Sequence, residues 1–379
     1  MTLIYLVAGE ESGDVLGARL MAALMAQRPG VRFAGLGGRR MMALGLEPLF
    51  PMRELAVMGL LEVLPKVFRL RARLHEMAAD VLARRPDVVV TIDSPGFTLR
   101  LLGLLRGSEL KRVHYVAPQV WAWRERRVKK FPGLWDRLLC LLPFEPGFFA
   151  RHGLEGVFVG HPVLESGADR GDGARFRARH GVAAGARLLV VMPGSRGSEV
   201  SRLLPVLAAT LERLRPRFPD LVAVVPVADA VAETVIAATA GWAVKPIVVT
   251  EIEDKHDAFA AAAAALTKSG TSTLELALAG VAMVVTYRVN PLTAMIARRL
   301  IRTKFAAIVN ILAGRAVVPE LIQQDSNPAR LADEIGALLS DPAAAAAQRA
   351  AFARVVEDLH PQGGLPSAAA AQAVLGLLT

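Results

Sequence analysis

The sequence predicts an α/β protein made of two doubly wound halves, and three observations predict it. Short apolar runs such as Val88-Val89-Val90-Thr91-Ile92 and Leu188-Leu189-Val190-Val191-Met192 read as strands covered on both faces, as in parallel sheets. Such runs lead through Gly- or Pro-bearing loops into helical patterns, the rhythm of βαβ units. The chain has 379 residues, more than one core ordinarily serves, and is 53% hydrophobic with 21% charged residues.

The first strand is expected at 3–8, ending in Gly9-Glu10-Glu11-Ser12-Gly13-Asp14 and followed by a helix to about Gln27. The strand at 88–92 is introduced by Pro86-Asp87 and closed by Asp93-Ser94-Pro95-Gly96. Further strands are expected at 112–116, 138–142 and 156–159. Near Gly160-His161-Pro162 the pattern pauses, and the polar, glycine-rich 169–173 reads as a linker. A second series opens with 188–192, then Pro193-Gly194-Ser195-Arg196-Gly197-Ser198-Glu199 and a long helix. Strands at 221–225, 247–250, 264–267 and 281–286 follow, and the tail after Pro366 reads as an alanine-rich helix. The expected domains are 1–165 and 166–359, facing each other across a cleft. Whether the helix at about 360–379 returns to pack on the first domain is left open.

Composition excludes several classes. No run of eighteen uncharged apolar residues exists, and Glu10-Glu11 interrupts any signal-peptide pattern, so a cytosolic protein is expected. The single cysteine, Cys140, sits in an apolar run and reads as a buried structural thiol. The seven histidines have no metal-ligand spacing, and no metal or cofactor is expected. A Walker A loop is missing, as is a Gly-x-Gly-x-x-Gly after the first strand, which discourages ATP hydrolysis and hydride transfer. The formal net charge of +10 points to an anionic partner: nucleotide phosphate, nucleic acid or anionic lipid. Much of it falls at 69–73, 84–85 and 124–130, in the first half beside apolar and aromatic residues. That suits either solvated helix faces or a membrane-facing surface.

In open parallel sheets, ligands sit beyond the carboxyl ends of the strands. Lys268-Ser269-Gly270-Thr271-Ser272-Thr273-Leu274-Glu275 joins a strand to a helix with free backbone amides suited to a diphosphate. Glu275 would reach ribose hydroxyls; a capping box explains the same pattern equally well. Arg196, in a Gly-Ser loop at another strand end, offers a permanently charged fork to phosphate oxygens. Asp93 ends a buried strand and is either a general base with its pKa raised by burial or a turn cap. Glu10, Ser12 and Asp14 carry a similar ambiguity at the first strand's tip, where Ser12 or Asp14 would cap the next helix.

These loops together resemble the lipid-A-disaccharide synthases, inverting transferases of lipopolysaccharide assembly with the GT-B fold. The resemblance runs along nearly the whole chain. It rests on Ala8-Gly9-Glu10-Glu11-Ser12-Gly13-Asp14, on 56–64 (Ala-Val-Met-Gly-Leu-Leu-Glu-Val-Leu), on Ile92-Asp93-Ser94-Pro95 and on 115–124 (Tyr-Val-Ala-Pro-Gln-Val-Trp-Ala-Trp-Arg). It continues through Leu142-Pro143-Phe144-Glu145, Val159-Gly160-His161-Pro162, the 193–199 and 268–275 loops, Tyr287-Arg288 and Asn310-Ile311-Leu312-Ala313-Gly314.

The resemblance implies transfer of 2,3-diacylglucosamine from UDP-2,3-diacylglucosamine to the 6-hydroxyl of 2,3-diacylglucosamine 1-phosphate. The family's essential aspartate falls on Asp93. The UDP residues it implies are Gly194, Ser195, Arg196, Glu199, Ser269, Gly270, Thr271, Thr273 and Glu275, with Arg288 and Asn310 in the same pocket. For acceptor and lipid it implies Glu10, Ser12, Gly13, Asp14, Met58, Gln119, Trp121 and Arg124. Where many members read Ile-Asp-x-Pro-Asp-Phe, this chain has Gly96, so Asp93 stands without a second carboxylate in that loop. Acylated substrates imply peripheral contact with the inner face of a Gram-negative inner membrane, and 58–73 fits as the contact helix. An oligomer is left open.

Competing readings are a peptidoglycan-lipid N-acetylglucosaminyltransferase, a UDP-N-acetylglucosamine 2-epimerase and a basic nucleic-acid binder. The first would lack the Trp121-Ala122-Trp123-Arg124 run, and the second would need no acceptor. Against the third, aromatics are only 6% and lack RNA-recognition or zinc-finger spacing.

Overall fold

The computed structural model describes residues 2–55, 60–290, 294–295, 300–301 and 303–378, without the side chains of 60–67. The chain forms two compact units, Met1–Pro162 with Leu359–Thr379, and Val163–Asp358.

The first unit contains β1 (Leu3–Ala8), α1 (Glu11–Gln27), β2 (Arg32–Leu36), α2 (Arg39–Met42), β3 (Glu47–Pro48) and α3 (Leu60–Arg84). It continues with β4 (Val88–Ile92), α4 (Pro95–Leu104), β5 (Lys111–Tyr115), α5 (Val120–Trp123), β6 (Arg137–Cys140), α6 (Glu145–Ala150) and β7 (Gly156–Phe158). Its strands are all parallel and stand in the order β3-β2-β1-β4-β5-β6-β7. The chain adds strands towards one edge up to β3 and then crosses back to add β4 onwards on the other side of β1, so β1 and β4 flank a topological switch point.

The apolar runs are explained by two-sided burial. In β1, Ile4, Leu6 and Ala8 enter one core with Leu20, Met21 and Leu24 of α1, while Tyr5 and Val7 enter another with Met77, Val81 and Leu101. Successive strand residues point to opposite faces, so a strand between two helix layers must be apolar throughout. Cys140 is fully buried in a third cluster around Phe131, Trp135 and Phe149, and burial raises its thiol pKa.

The second unit contains α7 (Gly173–His180), β8 (Arg187–Met192), α8 (Gly197–Leu214), β9 (Leu221–Pro226), α9 (Ala232–Ala240), β10 (Ile247–Val249) and α10 (Ile252–Ala261). Then come β11 (Ala262–Lys268), α11 (Ser272–Leu278), β12 (Met283–Tyr287), α12 (Ile308–Ala313), β13 (Glu320–Ile322), α13 (Pro328–Ser340) and α14 (Pro342–Glu357). Its parallel order, β10-β9-β8-β11-β12-β13, repeats the arrangement, with the switch between β8 and β11. The stretch read as a linker is partly structural: Asp172 caps α7 by accepting from the Ala174 and Arg175 amides.

The chain then returns to the first unit. Its last helix, α15 (Pro366–Leu375), buries Ala370, Ala371 and Val374 in the core that holds Leu20 and Leu24. Arg137 donates to the Ala373 carbonyl at 2.7 Å, and the His161 amide donates to the Leu359 carbonyl at 3.0 Å.

Candidate functional site

At the first unit's switch point, Ala8 lies opposite Ile92, and Ile92 opposite Tyr115. The residues that follow these partners, Gly9-Glu10, Asp93-Ser94 and Val116, therefore share one sheet edge. Asp93, Ser94 and Val116 have φ of +49°, +45° and +77°. Side chains other than glycine avoid this region, and held there they store roughly 1–3 kcal/mol each. Strain at this edge is offset by bonds around it. The Asp93 amide donates to the Tyr115 carbonyl at 2.9 Å, and the Thr98 hydroxyl donates to the Asp93 carbonyl at 2.6 Å.

Burial raises the Asp93 carboxyl pKa, the charge of Glu10 raises it further, and the Ser94 amide partly offsets both. Ser94 Oγ donates to Glu10 Oε1 at 3.2 Å, joining the two loops. Ser12 is exposed on α1 and Gly13 is buried beneath it. Asp14 is 4% exposed, and its carboxylate accepts from the amides of Gly38 (2.7 Å), Arg40 (3.0 Å) and Met41 (3.1 Å). It thus caps α2 rather than its own helix, and a Cβ on Gly38 would strike it at 2.7 Å.

Gln119 is exposed at the start of α5. Trp121 donates its indole N–H to Glu145 Oε1 at 3.0 Å and meets the Phe144 ring edge-on at 4.9 Å. The Arg124 guanidinium stacks 4.0 Å above Trp123, which is exposed. Met58 lies outside the described residues.

In the second unit, Met192 pairs with Thr267, so the 193–196 and 268–271 loops emerge side by side. Gly194 has φ +115°, and a Cβ there would meet Glu199 Oε2 at 2.9 Å. Only glycine lets this turn lie against that carboxylate. Glu199 is buried. Lys268 Nζ lies 3.3 Å from both its oxygens, in hydrogen-bonding geometry to Oε1 but not to Oε2, which has no other hydrogen-bond partner among the described residues. Arg196 Nη1 stands 3.5 Å from Glu199 Oε1 with its side chain 67% exposed, and α8 starts at the next residue. Helix-start amides and two cations, one half-buried and one mostly exposed, make an anion-receptive edge.

On the other loop, Ser269 Oγ donates to the Ala306 carbonyl at 2.8 Å and Thr273 Oγ1 to the Gly270 carbonyl at 2.7 Å. Thr271 is exposed and makes no side-chain cap, so the capping box does not form. Both oxygens of Glu275 accept from Lys255 Nζ at 3.1 Å. Arg288 is half-buried just beyond β12. Asn310 is fully buried: its Nδ2 donates to the Val318 carbonyl and Glu320, and its Oδ1 accepts from the Val317 and Val318 amides. Both donors and both acceptor positions of that amide are spent within the unit, leaving it no free group for a ligand.

Lys268, Lys255 and Glu145 join the sites beyond the candidate residues expected from the sequence. Lys268 carries a local signal, a cation on the last residue of a central strand; Lys255, twenty residues from its partner Glu275, carries none.

A sequence model of the family described as Lipid-A-disaccharide synthetase matches residues 4–374. The lipid-A-disaccharide synthase of Gluconobacter oxydans is 60% identical over 376 residues, 99% of this chain and 91% of that protein. Among solved structures, the spinosyn rhamnosyltransferase SpnG complexed with thymidine diphosphate superposes with TM-score 0.63 at 14% identity, covering 99% of this chain and 100% of that one. The Staphylococcus aureus MnaA–UDP co-structure gives 0.66 at 13% identity, covering 100% and 98%. The fold of this chain is GT-B-like.

Proposed function

Because the chain belongs to the lipid-A-disaccharide synthase family, and is thereby a glycosyltransferase, we propose the following reaction for it. It transfers 2,3-diacylglucosamine from UDP-2,3-diacylglucosamine to the 6-hydroxyl of 2,3-diacylglucosamine 1-phosphate, with inversion, giving the β(1→6) disaccharide 1-phosphate and UDP. Within that family frame, one observation carries the mechanism. Asp93 is held at a switch point in strained backbone, with burial and Glu10 raising its pKa.

A base works best when its pKa approaches the working pH, and a carboxylate of ordinary pKa is weak for a sugar hydroxyl. Asp93 takes the O6 proton as O6 bonds to the donor's anomeric carbon and the bond from that carbon to the diphosphate oxygen breaks. One displacement inverts the centre, so no second carboxylate is needed as nucleophile. The departing UDP carries the developing charge, which Arg196, Lys268 and the amides opening α8 stabilise. The 194–199 and 269–275 loops hold the nucleotide, with Glu275 at the ribose. In this reading residues 1–165 serve the acceptor and 166–359 the donor. Glu10, Ser12, Gln119, Trp121 and Arg124 lie on the acceptor side.

Both substrates are acylated, so the enzyme must meet a bilayer. Among the described residues no helix is long and apolar enough to cross a membrane. Peripheral contact through α3, where Phe68 is 82% exposed among arginines, supplies the reach.

The test is UDP release with each substrate alone and with both. Release that requires the lipid acceptor and persists in chelator agrees with the proposal. Conversion of a UDP-sugar without acceptor, or strict dependence on Mg²⁺, contradicts it.

A further inference from the structure

The first unit holds an open pocket of about 640 Å³ that shares Glu10 with the acceptor side and α3 with the bilayer contact described above, while its other lining residues have no role there. That volume suits a small organic ligand. One wall is a face of α3 bearing Leu70, Arg71, Leu74 and His75, spaced one and four residues apart as a helical stripe requires. The other is a face of α4 with Phe97, Arg100, Gly103 and Leu104, spaced three and four residues apart along the helix. Gly9, Glu10 and Ser94 close the side next to Asp93, and Leu55 completes the lining.

Two features describe what fits. Five lining side chains are large and apolar (Leu55, Leu70, Leu74, Phe97 and Leu104), and water gains little against such walls. Polar groups gather among them without internal use. Among the described residues, Arg71, His75 and Arg100 have no ion-pair or hydrogen-bond partner, whereas Arg69 and Arg73 on the same helix both pair with Glu54. An open apolar pocket rimmed by two exposed, unpaired guanidinium groups matches an amphiphile with an anionic head. Glu10, the one carboxylate among the described lining residues, repels that head towards the arginines. Phe68, 82% exposed on α3, and Leu104, 41% exposed, extend the apolar surface outward, as an approach from lipid requires.

We propose that this pocket holds an acyl chain of the phosphorylated sugar-lipid acceptor, with Arg71 and Arg100 gripping its phosphate and the α4 face at Gly103 setting how much chain it admits. The identity of the lipid rests on the reading under Proposed function; the chamber and its charges do not. A Cβ built on Gly103 meets nothing within 4 Å, so a side chain introduced there starts in open space on the pocket wall.

The experiment is calorimetric titration with decyl phosphate below its micellar concentration, using the full chain, Gly103→Phe and Arg71→Ala/Arg100→Ala. The wild type should bind one equivalent, and Gly103→Phe should bind at least ten-fold more weakly. The double variant should lose at least ten-fold affinity for decyl phosphate while binding the neutral decyl glucoside like wild type. Inorganic phosphate should not displace the lipid. Equal affinities in wild type and Gly103→Phe, no wild-type binding, or displacement by inorganic phosphate would each overturn the pocket assignment. Disaccharide synthesis by the same preparation separates the two ideas. Turnover without the binding pattern sinks the pocket alone; the binding pattern without turnover sinks the reaction alone.

Discussion

Asp93 combines an aspartate at the end of an apolar strand, visible in the sequence, with a backbone conformation that is not. Residue preferences argue against φ above zero at Asp93, Ser94 and Val116 together, so only the folded sheet edge reveals it. Replacing Asp93 with Asn keeps the shape and removes the base; turnover should fall by about 10²–10⁴ while UDP affinity stays at the wild-type value. Activity near wild type in a steady-state assay would refute the assignment. Glu10 supplies a testable sign. Its negative charge is the second cause of the raised Asp93 pKa, after burial. A base must be ionised, so the acid limb of the kcat/KM profile should lie above the ordinary carboxylate range. In Glu10→Gln that limb should move to lower pH, and a shift upward or none would count against the coupling. Asp14 and Asn310 teach the opposite lesson: both matched a family pattern, and both spend their polar atoms on the fold.

Among elements, strands with continuous apolar runs were legible, and short ones were not. β2 opens on Arg32 and includes Gly35, β3 has two residues and β13 three, so none offers a periodicity to read. The alanine tract is more instructive: α10 ends at Ala261 and β11 begins at Ala262, in a sequence that favours helix on both sides. Pairing of β11 with β8 and β12 overrides that propensity; the apolar run at 264–267 announces the strand, but nothing local marks its start at Ala262. The α5–α6 region hangs on Glu145, which accepts from Trp121 and from the Leu141 and Leu142 amides, each at 3.0 Å. Glu145→Ala strands those buried donors and should destabilise the protein by about 3 kcal/mol in urea denaturation. Burial pushes the Glu145 pKa up to about 7 from 4.5. The folded state therefore binds the extra proton between those values, and stability should fall as pH rises from about 4.5 through 7. Glu145→Gln should show a smaller fall over that window. At the anion-receptive edge, Arg196→Ala should weaken UDP binding by about 1.5–3 kcal/mol in calorimetry, the range of a charged hydrogen bond; unchanged affinity would remove that contact.

For the whole molecule, the repeated strand–loop–helix rhythm announced two similar halves, and the sheets share one order over six strands, the first adding a seventh at its edge, with a switch beside the first strand of each. The C-terminal return is the part composition could only leave open, because an alanine-rich helix shows no strong face. Its partners explain it: α15 completes the core over α1. A chain truncated after residue 358 should expose that core, lose the Arg137 and His161 bonds to the tail, and unfold at lower temperature in calorimetry. The net charge of +10 predicts binding to anionic but not neutral vesicles, weakening as salt rises. The central claim is inverting transfer to O6 with Asp93 as base. Its most direct measurement is the NMR anomeric coupling and linkage of the product made from UDP-2,3-diacylglucosamine and 2,3-diacylglucosamine 1-phosphate. A β linkage to O6, formed by wild type and absent with Asp93→Asn, is the expected result; an α linkage, another position, or the same product from the variant would contradict it.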